Sequence, residues 1–184
     1  MQFSDPLDES IEHFLLRPEE VDRPTGLLGD PEELDLAVVT DAVVRRHRRR
    51  TDCEIAAVLT PTRVRVVPAL LERAVSNLVD NAIKWSPAGG VVEVTVDEGE
   101  VRVRDHGPGI PEAEREKVFE RFYRAESARS APGSGLGLAI VKHVADNFGG
   151  EALVVPTEGP GTTVVLRFPE ISPASEEAPV PVGV

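Results

Sequence analysis

The segment from Val92 to Arg104 constrains the fold more than any other. Val92, Val94 and Val96 alternate with Glu93, Thr95 and Asp97, and beyond Asp97-Glu98-Gly99-Glu100 the alternation resumes with Val101 and Val103 against Arg102 and Arg104. A period of two sends successive side chains to opposite faces of a strand. The stretch is therefore a β-hairpin with a short glycine-containing turn.

The segment before it has a helical period. From Pro68 to Trp85, Leu71, Ala74, Val75, Leu78, Ala82 and Ile83 form one buried face. Pro68 suits a first helical turn, and Ser86-Pro87-Ala88-Gly89-Gly90 ends the helix. Further upstream, Leu34, Val38, Val39, Ala42 and Val43 predict an amphipathic helix over Glu32–His47. Its end carries Arg45, Arg46, Arg48, Arg49 and Arg50, read as a solvated face and as favourable charge at a helix C-terminus. Cys53–Leu59 and Val64–Val67 read as short strands around a turn at Thr60-Pro61. Pro111–Lys117 reads as a short helix and Arg124–Ser134 as a mobile loop. Gly135–Phe148 reads as a helix stopped by Gly149-Gly150, and Leu153–Val155 and Thr162–Phe168 as closing strands. Residues 1–31 are acidic and broken by prolines, a linker with at most a short helix near Glu9–Leu16. The expected domain spans 32–170, and 171–184 form a proline-rich disordered tail.

Charge narrows the function. A net charge of −12 opposes nonspecific nucleic-acid binding, which draws on Lys and Arg to displace counterions. An acidic chain that holds a polyphosphate needs a metal ion and a few local cations. Cys53 is the single cysteine, so an intrachain disulfide is excluded and a reducing compartment is expected. The start lacks signal-peptide character and no apolar run reaches membrane-spanning length, so direct membrane contact is not expected.

Three segments carry chemistry. In Asn77-Leu78-Val79-Asp80-Asn81-Ala82-Ile83-Lys84-Trp85, Asn77, Asn81 and Lys84 stand at i, i+4 and i+7 and share a helix face. An amide oxygen can ligate Mg2+ and an ammonium can neutralise phosphate; read alone, the same face serves as a solvated surface. Asp105-His106-Gly107-Pro108-Gly109-Ile110 follows a strand, so a carboxylate there can accept from an exocyclic amine while the glycines admit a flat ring. Alone, it is also an ordinary turn. Gly133-Ser134-Gly135-Leu136-Gly137-Leu138 opens a helix, where bare amides form an anion site. Its spacing fits neither the dinucleotide fingerprint nor the P-loop.

Taken in order, these segments resemble the N, G1 and G2 boxes of the GHKL ATPase superfamily, and in detail those of sensor histidine kinases. Val118-Phe119-Glu120-Arg121-Phe122-Tyr123-Arg124 resembles the kinase F box, and Gly161-Thr162-Thr163 the G3-like turn before the last strand. The resemblance covers about residues 34–168. It implies an α/β two-layer sandwich of the Bergerat type, a mixed, largely antiparallel sheet with helices on one face.

The resemblance also implies roles. Asn81 would be the Mg2+ ligand, Asn77 would assist through phosphates or water, and Lys84 would contact phosphate. Trp85 stands where the family places an aromatic residue against the nucleotide; a core tryptophan is the other reading. Asp105 would read the adenine amine in a pocket shaped by Gly107 and Gly109 and lined by Ile110. Gly133, Ser134, Gly135, Leu136, Gly137 and Leu138 would close on the phosphates, and Thr162 lies in the G3-like turn. Arg121, Arg124 and Arg129 are candidate phosphate contacts. Phe119 and Phe122 would hold the lid hinge against the core. Where hydrolysing members such as gyrase B place a water-activating Glu, this chain has Asn77, which cannot be a general base. Transfer to a histidine is the implied reaction, with ATP and Mg2+ as cofactors.

The chain departs from a complete kinase. No histidine stands in the family's phosphoacceptor context; His13, followed by Phe14-Leu15-Leu16-Arg17-Pro18, lacks the acidic neighbour. The acceptor would lie on a separate dimerisation domain, and a response regulator would receive the phosphate afterwards. A monomeric, cytoplasmic chain is expected, either part of a membrane-anchored sensor or a stand-alone protein. Two other readings stay open: an anti-sigma-factor-like Ser/Thr kinase, and a nucleotide-binding interaction module that transfers nothing.

Overall fold

The computed structural model describes residues 29–124 and 134–171. The expected helix near Glu9–Leu16, most of the loop after Arg124 and the tail beyond Ile171 lie outside these residues.

The element order is β1 (Glu32–Asp35), α1 (Leu36–Arg48), β2 (Glu54–Leu59), β3 (Arg63–Val66), α2 (Pro68–Trp85), β4 (Val91–Asp97), β5 (Glu100–Arg104), α3 (Gly137–Asn147), β6 (Glu151–Val155) and β7 (Thr163–Arg167). Five strands form one sheet in the order β2-β4-β5-β7-β6. β2 runs parallel to β4, across a connection that contains α2, and every other pair in this sheet is antiparallel. The helices cover one face, giving the expected two-layer α/β sandwich.

Register explains the core. One row across the sheet reads Leu59, Val96, Val101, Leu166, Ala152, and the next Ala57, Val94, Val103, Val164, Val154. Both rows face the helices, where α2 contributes the fully buried Leu71, Ala74, Val75 and Val79 and α3 contributes Val141 and Ala145. A one-residue slip would send each row to solvent.

The structure corrects several expectations. Glu32–Asp35 is a strand, not the first turn of a helix, and pairs antiparallel with β3 in a separate two-stranded sheet. The helix begins at Leu36, not at Glu32, because Asp35 caps it, Oδ1 accepting from the amides of Ala37 at 2.9 Å and Thr62 at 3.2 Å. β2 and β3 flank Thr60-Pro61 as expected, but they belong to different sheets and do not pair with each other. Two 3-10 turns, Glu112–Glu114 and Lys117–Phe119, replace the short helix expected over Pro111–Lys117. α3 starts at Gly137, not Gly135, whose φ of 76° is not helical. Among the described residues no helix is long and apolar enough to cross a membrane.

Beside the Arg46–Glu72 ion pair, a buried histidine ties α1 to α2. The buried His47 donates from Nδ1 to the Val43 carbonyl at 2.9 Å, and its Nε2 lies 2.9 Å from Asp80 Oδ1. Asp80 raises the imidazole above its ordinary 6.5, against burial and the nearby Arg46. His47 in turn lowers Asp80 below its ordinary 3.8. The stabilisation due to His47 is complete below pH 6.5 and fades as pH rises through the raised value. That due to Asp80 is complete above 3.8 and fades as pH falls through the lowered value. The melting-temperature gap between wild type and Asp80→Asn is therefore expected to be widest near pH 5–6, between the two ordinary pKa values, and to shrink toward pH 9. Thermal melts across that range check it.

Candidate functional site

The hairpin ends at Asp105, which is 3% exposed. Its Oδ1 accepts from the amides of Gly107 at 2.8 Å and Thr162 at 3.2 Å, and its own amide donates to the Thr162 carbonyl at 2.9 Å. The carboxylate thus clamps the loop it begins to the turn before β7. Burial raises its pKa, opposed by the Gly107 and Thr162 hydrogen bonds. This partly compensated carboxylate retains acceptor capacity.

The same loop presses against the end of α2. A Cβ on Gly107 would stand 2.3 Å from the Trp85 carbonyl oxygen, so only glycine lets the two backbones meet. Gly109 lies against the Gly161 carbonyl, 3.0 Å from where its Cβ would be. Pro108 is exposed while Gly109 and Ile110 are half-buried. His106 adds a tether absent from the sequence reading: its Nε2 lies 2.8 Å from Glu93 Oε1 on β4. The partners are thirteen residues apart, one on β4 and the other in the loop after β5, and no local pattern announces the pair.

Along α2, Asn77 and Asn81 are half-buried and Lys84 is exposed. Asn77 faces the start of α3, its side chain 3.9 Å from where a Cβ on Gly137 would be, and its Nδ2 is buried without a hydrogen-bond partner. Such an orphaned donor, costly in a finished core, fits a site that takes up an acceptor. Asn81 Oδ1 accepts from the Trp85 indole at 3.2 Å, and Lys84 Nζ stands 4.8 Å from the centre of the same ring. Burial lowers the Lys84 pKa, with Arg124 adding charge repulsion. The structure thus brings two of the predicted phosphate cations near each other.

The F-box region meets the third glycine segment. The Phe122 amide donates to the Gly135 carbonyl at 3.2 Å, and a Cβ on Gly135 would stand 2.9 Å from the Tyr123 carbonyl oxygen. Phe119 packs against the core as expected. Phe122 does not: its side chain is 64% exposed, because the backbone takes a φ of 61° there and holds through its amide instead. Ser134, Gly135, Leu136, Gly137 and Leu138 lead into or open α3, none of them buried. Gly133 and Arg129 lie outside the described residues.

The family profile described as "Histidine kinase-, DNA gyrase B-, and HSP90-like ATPase" matches residues 66–172. The signal transduction histidine-protein kinase/phosphatase MprB of Mycobacterium avium (strain 104) is 47% identical over 160 residues, which are 80% of this chain and 31% of that protein. The MprB of Mycobacterium leprae (strain TN) is 46% identical over 148 residues, 75% of this chain and 28% of that one. The chain thus spans less than a third of the length of these curated relatives. Among solved structures, a mycobacterial sensor histidine kinase MprB aligns at TM-score 0.69 and 46% identity, over 76% of this chain and 98% of that one. The ATP-binding domain of PrrB from Mycobacterium tuberculosis aligns at TM-score 0.61 and 30% identity, over 78% of this chain and all 100% of that one.

Proposed function

Because the chain belongs to the histidine kinase-, DNA gyrase B- and HSP90-like ATPase family, as a histidine kinase ATP-binding domain, we propose that it transfers the γ-phosphoryl group of Mg-ATP to a histidine on a separate dimerisation domain. A response regulator aspartate would then take the phosphate, and the domain would work as a monomer on the cytoplasmic side of a membrane-anchored sensor. The observation that carries this reading is Asn77, half-buried beside Gly137 where the hydrolysing relatives place a base. A carboxamide cannot take a proton from water. Catalysis here is positioning and charge neutralisation, and the acceptor imidazole brings its own nucleophile.

The residues divide the substrate among them. Asp105 accepts from the adenine amine, with Gly107, Gly109 and Ile110 forming the walls and Thr162 holding the carboxylate. Lys84 and Arg124 neutralise phosphate, and the backbone from Ser134 to Leu138, continuing from Gly133, closes over it at the start of α3. The donor set suits Mg2+: Asn81 offers a hard amide oxygen, and Asn77 can assist through the phosphates or a water. Bound there, Mg2+ would supply charge neutralisation on the phosphates.

The test is calorimetric titration of ATP and ADP with and without Mg2+, alongside phosphate release. Tight binding with negligible release is expected; rapid release would place the chain with the hydrolases. With a separately supplied acceptor domain, the phosphorylated product should be acid-labile, as phosphohistidine is and phosphoserine is not. Asn81→Asp is expected to lower transfer from Mg-ATP by about ten-fold or more, with Mg2+-free ADP binding changed less than about two-fold; equal losses in both would remove Asn81 from the metal site.

A further inference from the structure

Trp85 ends α2 one turn beyond Asn81, and its side chain touches both neighbours that the proposed function uses. The indole Nε1 donates to Asn81 Oδ1 at 3.2 Å, and the face of the same ring lies 4.8 Å below Lys84 Nζ. From this geometry we propose that Trp85 is a positioning residue for the metal and phosphate groups of α2: its indole N–H fixes which end of the Asn81 carboxamide presents the oxygen that would ligate the metal, and its ring face holds the Lys84 ammonium beside it. The inference rests on the Mg-ATP reading above and goes beyond it, because it assigns the indole to this chain's own side chains and not to the nucleotide.

The chemistry is specific. A carboxamide can present either its oxygen or its NH2 in one direction, since the two ends have nearly the same shape. Only the oxygen ligates a cation. An indole N–H is a donor and nothing else, so it selects the orientation in which the oxygen lies on its side. An amide oxygen has two lone pairs; the indole takes one and leaves the other for a metal ion. Lys84 is fixed by a different property of the same ring, the attraction of an ammonium to the negative face of an indole. The Asn81–Trp85 spacing follows from the helix, since residues four apart stack on one face; Lys84, adjacent in sequence, reaches the ring through its long flexible stem. The Trp85 carbonyl also abuts Gly107, so the residue that orients the metal ligand is seated against the loop that Asp105 clamps.

The chain has one tryptophan, which makes the test direct. In wild type, the single indole N–H resonance of a 15N-labelled sample should shift when Mg2+ is added to protein saturated with ATP. It should move upfield in Asn81→Ala without nucleotide. A resonance unmoved by both changes overturns the proposal without asking any variant to keep full stability. The second arm is calorimetry on Trp85→Phe, which keeps a ring under Lys84 and removes the donor. Its affinity for Mg2+-free ADP should stay within about two-fold of wild type, while the gain in ATP affinity on adding Mg2+ should fall by about five-fold, the worth of one hydrogen bond. A full Mg2+ gain in Trp85→Phe overturns the positioning role while leaving the Mg-ATP reading intact. An equal loss for all nucleotides also overturns it, and returns Trp85 to a base contact. Wild type that binds no nucleotide with or without Mg2+ overturns both.

Discussion

Asp105→Asn is expected to weaken ATP, ADP and adenosine alike, by about thirty-fold, with or without Mg2+. The reason is the division of labour between the two carboxylate oxygens. Oδ1 already accepts two backbone amides, from Gly107 and Thr162. In the variant the amide oxygen must take that place, because the alternative points an NH2 at two N–H donors. The NH2 is then left where Oδ2 was, and an incoming adenine amine meets a donor in place of an acceptor. A charge-assisted hydrogen bond contributes roughly 1.5–3 kcal/mol, of which 2 kcal/mol corresponds to about thirty-fold. The loop should survive, since its backbone clamp is kept, so the melting temperature without nucleotide should change little. Calorimetric titration of the three ligands, with melting as a control, decides it. Equal affinities in wild type and variant would remove Asp105 from the adenine contact; a loss confined to ATP would move it to the phosphates. A pH effect belongs to the same group. Burial has raised its pKa above the ordinary 3.8, so adenosine affinity should begin to fall at a higher pH than an exposed aspartate would give.

How much of this was legible before the structure depends on how local each feature is. α2 was read with its correct ends, Pro68 and Trp85, because its start, period and stop all lie within the segment. The β4–β5 hairpin was equally plain, since two-residue alternation and its turn are contiguous. β1 was not. Glu32-Glu33-Leu34-Asp35 has no strand character of its own, and Leu34 fits the helical period that follows. It is a strand because it pairs antiparallel with Arg63–Val66, far along the chain, a register that sets Arg65 and Arg63 opposite Glu33 and Asp35. The parallel pairing of β2 with β4 was hidden for the same reason: a turn at Thr60-Pro61 suggests a hairpin, and nothing local says that the chain leaves the sheet there. At the site, Asn77, Asn81 and Lys84 could be grouped from helical spacing alone. The orientation of Asn81 by Trp85 is also an i, i+4 relation, but many pairs have that spacing and few make a hydrogen bond. The anchoring of Asp105 by Thr162 spans 57 residues and needed the order of the sheet.

That anchor supplies the second large effect. Gly161→Ala is expected to lower stability by roughly 4 kcal/mol or more, a fall of about 12–16 °C in melting temperature for a domain of this size, and to reduce nucleotide affinity in whatever fraction stays folded. Two costs combine. The backbone there has a φ of 115°, a conformation essentially confined to glycine. An added Cβ would also stand 1.9 Å from the Asp105 carbonyl oxygen and 2.8 Å from its carbon, so β7's entry turn and the loop after β5 could no longer touch. Neither partner is the flexible end of a side chain; the overlap is with backbone on both sides. The comparison that separates the two costs lies two residues away. Gly159 also has a positive φ, 78°, but nothing lies within 4 Å of its Cβ position. Gly159→Ala should therefore carry the conformational cost alone, roughly 1–2 kcal/mol, with nucleotide affinity preserved. Melting and adenosine titration of the two variants side by side give the result. If they lose equal stability, the close approach of Gly161 to Asp105 contributes nothing and the turn is only a turn. If Gly161→Ala alone loses both stability and adenosine binding, the glycine acts by seating the Asp105 backbone it abuts, and the adenine contact is built jointly by segments 57 residues apart.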